Sequence, residues 1–300
     1  MDKKSTLDAL LSGKLEVKDA LGKITTRDLA ESLFDYTKQL VGYADSKVIS
    51  ILSSSTTRSE NEGILVGIFY RIYLWMKSLI ALDNNSHIQG VAVALRSLFE
   101  LFLDLKFLAN YKKGECFEKY IAFSEIEMFK EGTKKVQFFE QNFPQKIEKY
   151  FLQKQFITNP ERINRITSNL KKFWAIDDIR DLGKIQHWSK KKVRDRAAEL
   201  GIEYEEIYIE FYSRLSSIVH GSGLEFFRKL NKEHFESYFS FCHQTAQRIF
   251  IEAMKNIASI MGIDKAWEHE EFYKKLDELK KENLWKFLLY KLEQSENPVK

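Results

Sequence analysis

Apolar residues recur at helical spacing along most of this chain. Leu29, Leu33, Tyr36, Leu40, Tyr43 and Val48 mark one helix over Arg27–Ser53, behind the cap-type hydroxyls of Thr25 and Thr26. The small polar run Ser53–Glu60 reads as a loop, and a second helix over about Glu60–Leu82 stops at Asp83-Asn84-Asn85. Ser86 with Gln89 forms a capping-box pattern that opens a third helix to Tyr111. Gly114 begins a long fourth segment to about Asn142, ended by Pro144. Periodicity weakens over Gln145–Arg196, which predicts broken helices and loops. Beyond Ser189 the pattern tightens into a short helix to Leu200, a break at Gly201, a helix over Tyr204–His220 and a break at Gly221-Ser222-Gly223. Glu233–Met261 and Asp264–Leu292 read as two further helices separated by Gly262.

Composition turns this periodicity into a fold class. Thirteen Gly and three Pro in 300 residues are too few for the turns of an all-β sandwich or the phosphate loops of an α/β enzyme. The expectation is an all-α helical bundle over residues 26–261. A peripheral arm (1–25) precedes it, and a C-terminal helix (262–300) docks across it through Trp267, Leu276, Leu279 and Trp285. No composition shift divides the bundle into independent domains. Two cysteines exclude a disulfide framework, and no signal-peptide pattern occurs in the first 25 residues, so the expected location is the cytoplasm. Ile64–Leu82 and Ile88–Leu108 have the length of membrane spans. Both carry charges that cost roughly 2.5–3.5 kcal/mol each near a bilayer centre, so they read as core helices, with no membrane partner.

Charge is segregated. Gln145–Arg196 holds fourteen basic against six acidic residues, a net +8 in a chain whose total is +4. Lys190, Lys191, Lys192, Arg194 and Arg196 are its densest run, the candidate contacts to a polyanion. A solvated lysine-rich surface is the alternative reading.

Several chemistries lack their motifs. No Glu-x-x-His, His-Glu-x-x-His or paired Cys-x-x-Cys occurs, and neither phosphate-loop pattern nor Gly-x-Ser-x-Gly is present. Catalysis, if any, is expected to use helix side chains, with no metal and no cofactor.

Two constellations remain. In the apolar helix Ile88–Leu108, Arg96, Glu100 and Asp104 are spaced i, i+4, i+8, so Arg96 and Glu100 are expected to pair, half-buried or buried. That pair either fixes helix register or orients a titrating partner. The second lies in Tyr208–Ser222. Tyr208, Tyr212, Leu215 and Val219 form an apolar stripe, and Ser213, Ser216, Ser217 and His220 share another face. Those small residues either admit a neighbouring helix or line a site. His220 precedes Gly221 at the expected helix end, where the dipole favours its charged form, which makes it the strongest acid/base candidate. Arg214, six positions earlier, lies on a face about 120° away and about 9 Å along the axis, so both tips can border one pocket. Such a pair suits phosphodiester chemistry, with Arg binding phosphate and His moving a proton.

Arg96-Ser-Leu-Phe-Glu100, His187-Trp188-Ser189, Leu200-Gly201 and Tyr212-Ser-Arg-Leu-Ser216-Ser-Ile-Val-His220-Gly-Ser222 resemble an uncharacterised family of bacterial helical proteins over about Ser86–Gly223. More distantly, Arg214-x5-His220 is similar to the Arg-x(4–6)-His motif of the HEPN (higher eukaryotes and prokaryotes nucleotide-binding) superfamily. That resemblance implies a HEPN-like core over about 86–223, a homodimer, and metal-independent ribonuclease activity of the kind found in toxin and antiviral systems. Arg214 would bind phosphate and His220 would act as acid/base, with Glu100, Arg96, Ser216 and Ser217 in support. RNA is then the expected partner, beside a partner protein or antitoxin. The competing expectation is a non-catalytic helical module that senses a nucleotide or a partner protein.

Overall fold

A computed structural model describes residues 26–54, 58–83, 87–110, 114–145, 151–213, 215, 219 and 232–263. Among them are helices and no strand, the all-α class that the periodicity predicts. The arm, the C-terminal helix beyond Ile263, and the Ser86 cap lie outside the described residues. Contacts divide the chain into two units, Met1–Ala109 with Leu200–Lys300, and Asn110–Glu199. The sequence pattern marks neither boundary, because both fall within helical punctuation that looks like any other.

In the first unit, α1 (Thr26–Ala44) passes through a π-helical turn, Asp45–Ile49, into the short helix Ser50–Ser54. Helix α2 (Glu60–Ala81) starts at a capping box, where Ser59 accepts from the Glu62 amide and Glu62 accepts from the Ser59 amide. Helix α3 (Ile88–Asn110) buries its apolar run, Phe99, Phe102 and Leu105 included, each side chain contributing about 1.5–3 kcal/mol. Of the described helices, α2 alone has the length and composition to cross a membrane, and 44% of its apolar window is buried in the protein.

The helix α9 (Lys232–Met261) packs on α1 and α2, with Phe69 and Phe250 stacked at 6.1 Å. Between α1 and α9 lies a buried polar network. Gln247 donates to the Leu33 carbonyl (2.7 Å) and to Thr37 Oγ1 (2.9 Å), and Thr37 Oγ1 lies 3.0 Å from His243 Nδ1. Phe34 and Phe239 pack on that imidazole, and burial pushes its pKa down to about 4. Gly262, with φ +63, ends α9 where the sequence predicts the break.

The second unit is built on α4 (Gly114–Asn142), which packs against α5 (Phe151–Thr158) and α6 (Pro160–Trp174). Ile126, Phe129, Ile166, Leu170, Phe173 and Leu182 form its core. Broken structure is predicted for this stretch, yet α6 is a regular helix. Asn159 caps it, Pro160 fills its first turn, and Ala175 ends it in the left-handed conformation. A 3-10 turn, Ile179–Lys184, and α7 (Val193–Leu200) complete the unit.

Candidate functional site

Helix α3 leaves one narrow face outside its core, along Gln89, Val93, Arg96, Ser97 and Glu100, and closes it at the buried Asp104. After the break at Gly201 (φ +144), α8 (Ile202–Ile207) runs into a second π-helical turn, Tyr208–Tyr212, closed by the Ser213 amide on the Tyr208 carbonyl. One extra residue in that turn rotates the chain beyond it by about 100° relative to an uninterrupted helix. Phe102 and Tyr204 (5.6 Å) and Phe99 and Tyr212 (6.0 Å) join this segment to α3.

At the contact, the Tyr212 hydroxyl stands between the two charges of α3. Arg96 Nη2 donates to it at 3.0 Å, and it donates to Glu100 Oε1 at 2.5 Å. The Arg96 and Glu100 side chains are themselves 3.9 Å apart, 18% and 40% exposed. The guanidinium also lies 4.7 Å from the Tyr212 ring centroid, and Tyr208 stacks on the same tyrosine at 5.4 Å. Burial, then the Glu100 hydrogen bond, pushes the Tyr212 hydroxyl up to about 12, so it remains a neutral donor near pH 7. Glu100 Oε2 makes no hydrogen bond among the described residues.

The structure thus brings Arg96 and Glu100 together as the spacing predicts, with Tyr212 as a bridge that spacing does not reveal. Tyr212 reads as one member of an apolar stripe, and its stripe-mate Leu215 is indeed buried. Its polar role depends on a partner more than a hundred residues away. Arg214, Ser216, Ser217 and His220 lie outside the described residues.

The basic run is corrected in part. Lys190, Lys192 and Arg194 are exposed. Arg196 is 1% exposed and offers solvent no guanidinium, and Lys191 is ion-paired with Glu199. Much of the surrounding segment is likewise matched to carboxylates. Arg162 and Arg165 share Glu125, and Lys172 meets Glu118 at 2.6 Å. Lys154 meets Glu140 at 2.9 Å, while Arg180 and Lys184 hold Asp178 and Asp181. Trp174, Trp188 and Tyr204 are buried. Among the described residues no three His, Cys, Asp or Glu side chains gather closely enough to hold a metal ion.

In comparison with known proteins, residues 62–238 match a family described as a family of unknown function (DUF5677). No curated protein and no solved structure matches the chain.

Proposed function

The chain belongs to the DUF5677 family, a name that carries no activity, and from its own residues we propose a metal-independent endoribonuclease, an RNA-directed effector of bacterial defence. The Arg96–Tyr212–Glu100 cluster carries this reading. It is a half-exposed hydrogen-bonded frame on a π-helical turn, two positions before Arg214 and eight before His220. Insertions of this type recur at functional sites.

In the proposed reaction, Arg214 binds the scissile phosphodiester and stabilises the charge that develops on it. The ribose 2′-hydroxyl attacks the adjacent phosphorus and the P–O5′ bond breaks, giving a 2′,3′-cyclic phosphate. His220 takes the proton from the attacking 2′-hydroxyl and passes it to the leaving 5′-oxygen. The unspent Glu100 oxygen suits the orientation of an imidazole, with Tyr212 and Arg96 holding the carboxylate in place.

The experiment is cleavage of single-stranded RNA by the full chain in EDTA. Activity is expected, and His220→Ala should lower it by about 10²–10⁴-fold with the fold retained. Toxicity on expression should disappear with the same substitution. RNA left intact by the wild-type protein, or cleaved equally by the variant, overturns the proposal.

A further inference from the structure

The segment that carries Tyr212 has a second face, which the proposed cleavage does not use. Tyr204, Ile207 and Phe211 turn α8 and its π-helical turn into the core, where Tyr204 packs on Phe102 of α3 and Phe211 stacks on Phe241 of α9. The opposite side presents Ile202 and Ile209 to solvent. Ile202 is 78% exposed, the highest value for a large apolar side chain among the described residues, and Ile209 is 53% exposed. Seven positions apart, the two stand on one side of the helix, about 10 Å from each other along its axis.

Three exposed acids border them. Glu206 falls between the isoleucines, and Glu203 and Glu210 flank them. Among the described residues none of these carboxylates forms an ion pair or a side-chain hydrogen bond, whereas Glu118, Glu125 and Glu140 of α4 each meet a cation. Glu203 and Glu206, three apart, and Glu206 and Glu210, four apart, repel one another on the helix surface. Glu203 complements the amino end of α8, but Glu206 and Glu210 stand further along, where the helix dipole gives them no support.

Bare apolar side chains inside a rim of one charge make a surface that lacks apolar cover and countercharge together. We propose that this face docks a lysine- or arginine-rich amphipathic helix of a partner protein. The apolar side of that helix covers Ile202 and Ile209, and its cations meet Glu203, Glu206 and Glu210. The same carboxylates repel RNA phosphates and anionic lipid headgroups, which favours a basic polypeptide as the occupant. The patch is small, so the contact is a weak one. Because α8 leads directly into Tyr212, a helix docked here also restrains the turn that holds the Arg96–Tyr212–Glu100 cluster. The surface stands whether or not the chain cleaves RNA.

The test is fluorescence anisotropy of a labelled peptide of sequence LKKLLKLLKKLLKLLKKL titrated with the full chain, beside a peptide of the same composition whose order gives no apolar face. The amphipathic peptide is expected to bind saturably, less tightly as salt rises, and the control peptide not to bind. Ile202→Ser with Ile209→Ser, and Glu206→Lys with Glu210→Lys, should each weaken it by about tenfold or more, with Tm unchanged because all four side chains are exposed. Asp177→Lys, at an exposed carboxylate of the second unit, should leave binding as it is. No saturable binding, equal binding of the two peptides, or full binding by either α8 variant overturns the proposal. So does a wild-type dimer in sedimentation that the Ile202→Ser, Ile209→Ser variant dissolves, since the occupant is then a second copy. His220→Ala should leave the peptide titration unchanged, so this result and the cleavage result are read separately.

Discussion

A tyrosine hydroxyl wedged between a guanidinium and a carboxylate does two jobs, and Tyr212→Phe separates them. Its loss leaves Arg96 and Glu100 3.9 Å apart, a partly exposed pair that contributes less than about 1 kcal/mol alone. Denaturant unfolding should therefore show a loss of about 1–2 kcal/mol, and any RNA cleavage should fall with the carboxylate's position. His243 supplies a pH signature independent of function. Its pKa in the folded protein is about 4, against an ordinary value near 6.5. The unfolded chain therefore binds a proton first as pH falls. Stability is fully present above about 6.5 and declines between there and 4, by at most about 1.4 kcal/mol per pH unit from this group. Thermal melts of wild type and His243→Leu across that window should differ in slope, the variant being flatter. Neither role is written locally. Glu100 and Arg96 are legible as an i, i+4 pair, whereas Tyr212 and His243 look like ordinary members of apolar helices until a partner helix lies opposite.

Helix ends carry information that the chain states in a few residues. Asn159 accepts from the Arg162 amide and Ala175 closes α6 at φ 55. Asn159→Ala should lower stability by about 1 kcal/mol. Ala175→Gly should raise it by up to about 1 kcal/mol, because glycine removes the left-handed penalty. Chemical denaturation of the two variants checks both signs. The breaks at Gly201 and Gly262 and the extents of α2, α3 and α4 come directly from local pattern. The π-helical turns at Asp45–Ile49 and Tyr208–Tyr212 do not. A one-residue insertion shifts the apolar phase by about 100°, a step that i+3 and i+4 spacing tolerates over a short window, so only the register of the packed partner exposes it. Helix α6 is passed over by the sequence reading although its face is legible there: Ile163, Ile166, Leu170, Phe173 and Trp174 recur at helical spacing among the charges of a strongly basic segment.

Across the whole molecule, charge is divided more sharply than composition suggests. Residues 110–199 hold twenty basic against thirteen acidic side chains, while the rest of the chain is net negative by three. Carboxylates of α4 nonetheless meet many of those cations, which leaves few for a polyanion. Single-stranded RNA affinity, measured by fluorescence anisotropy against salt, should show a log–log slope near −2, the value for about three phosphate contacts. A slope near −7 would mean that the internal carboxylates release their cations to RNA. Helix class, helix ends, the Arg96–Glu100 pair and the basic segment were determined by sequence alone, because each is encoded within one or two turns of chain. The division into two units, the burial of Arg196 and the bridging role of Tyr212 were decided only by tertiary structure. Each depends on which distant surfaces pack together, and packing is a property of the whole core that no local window contains.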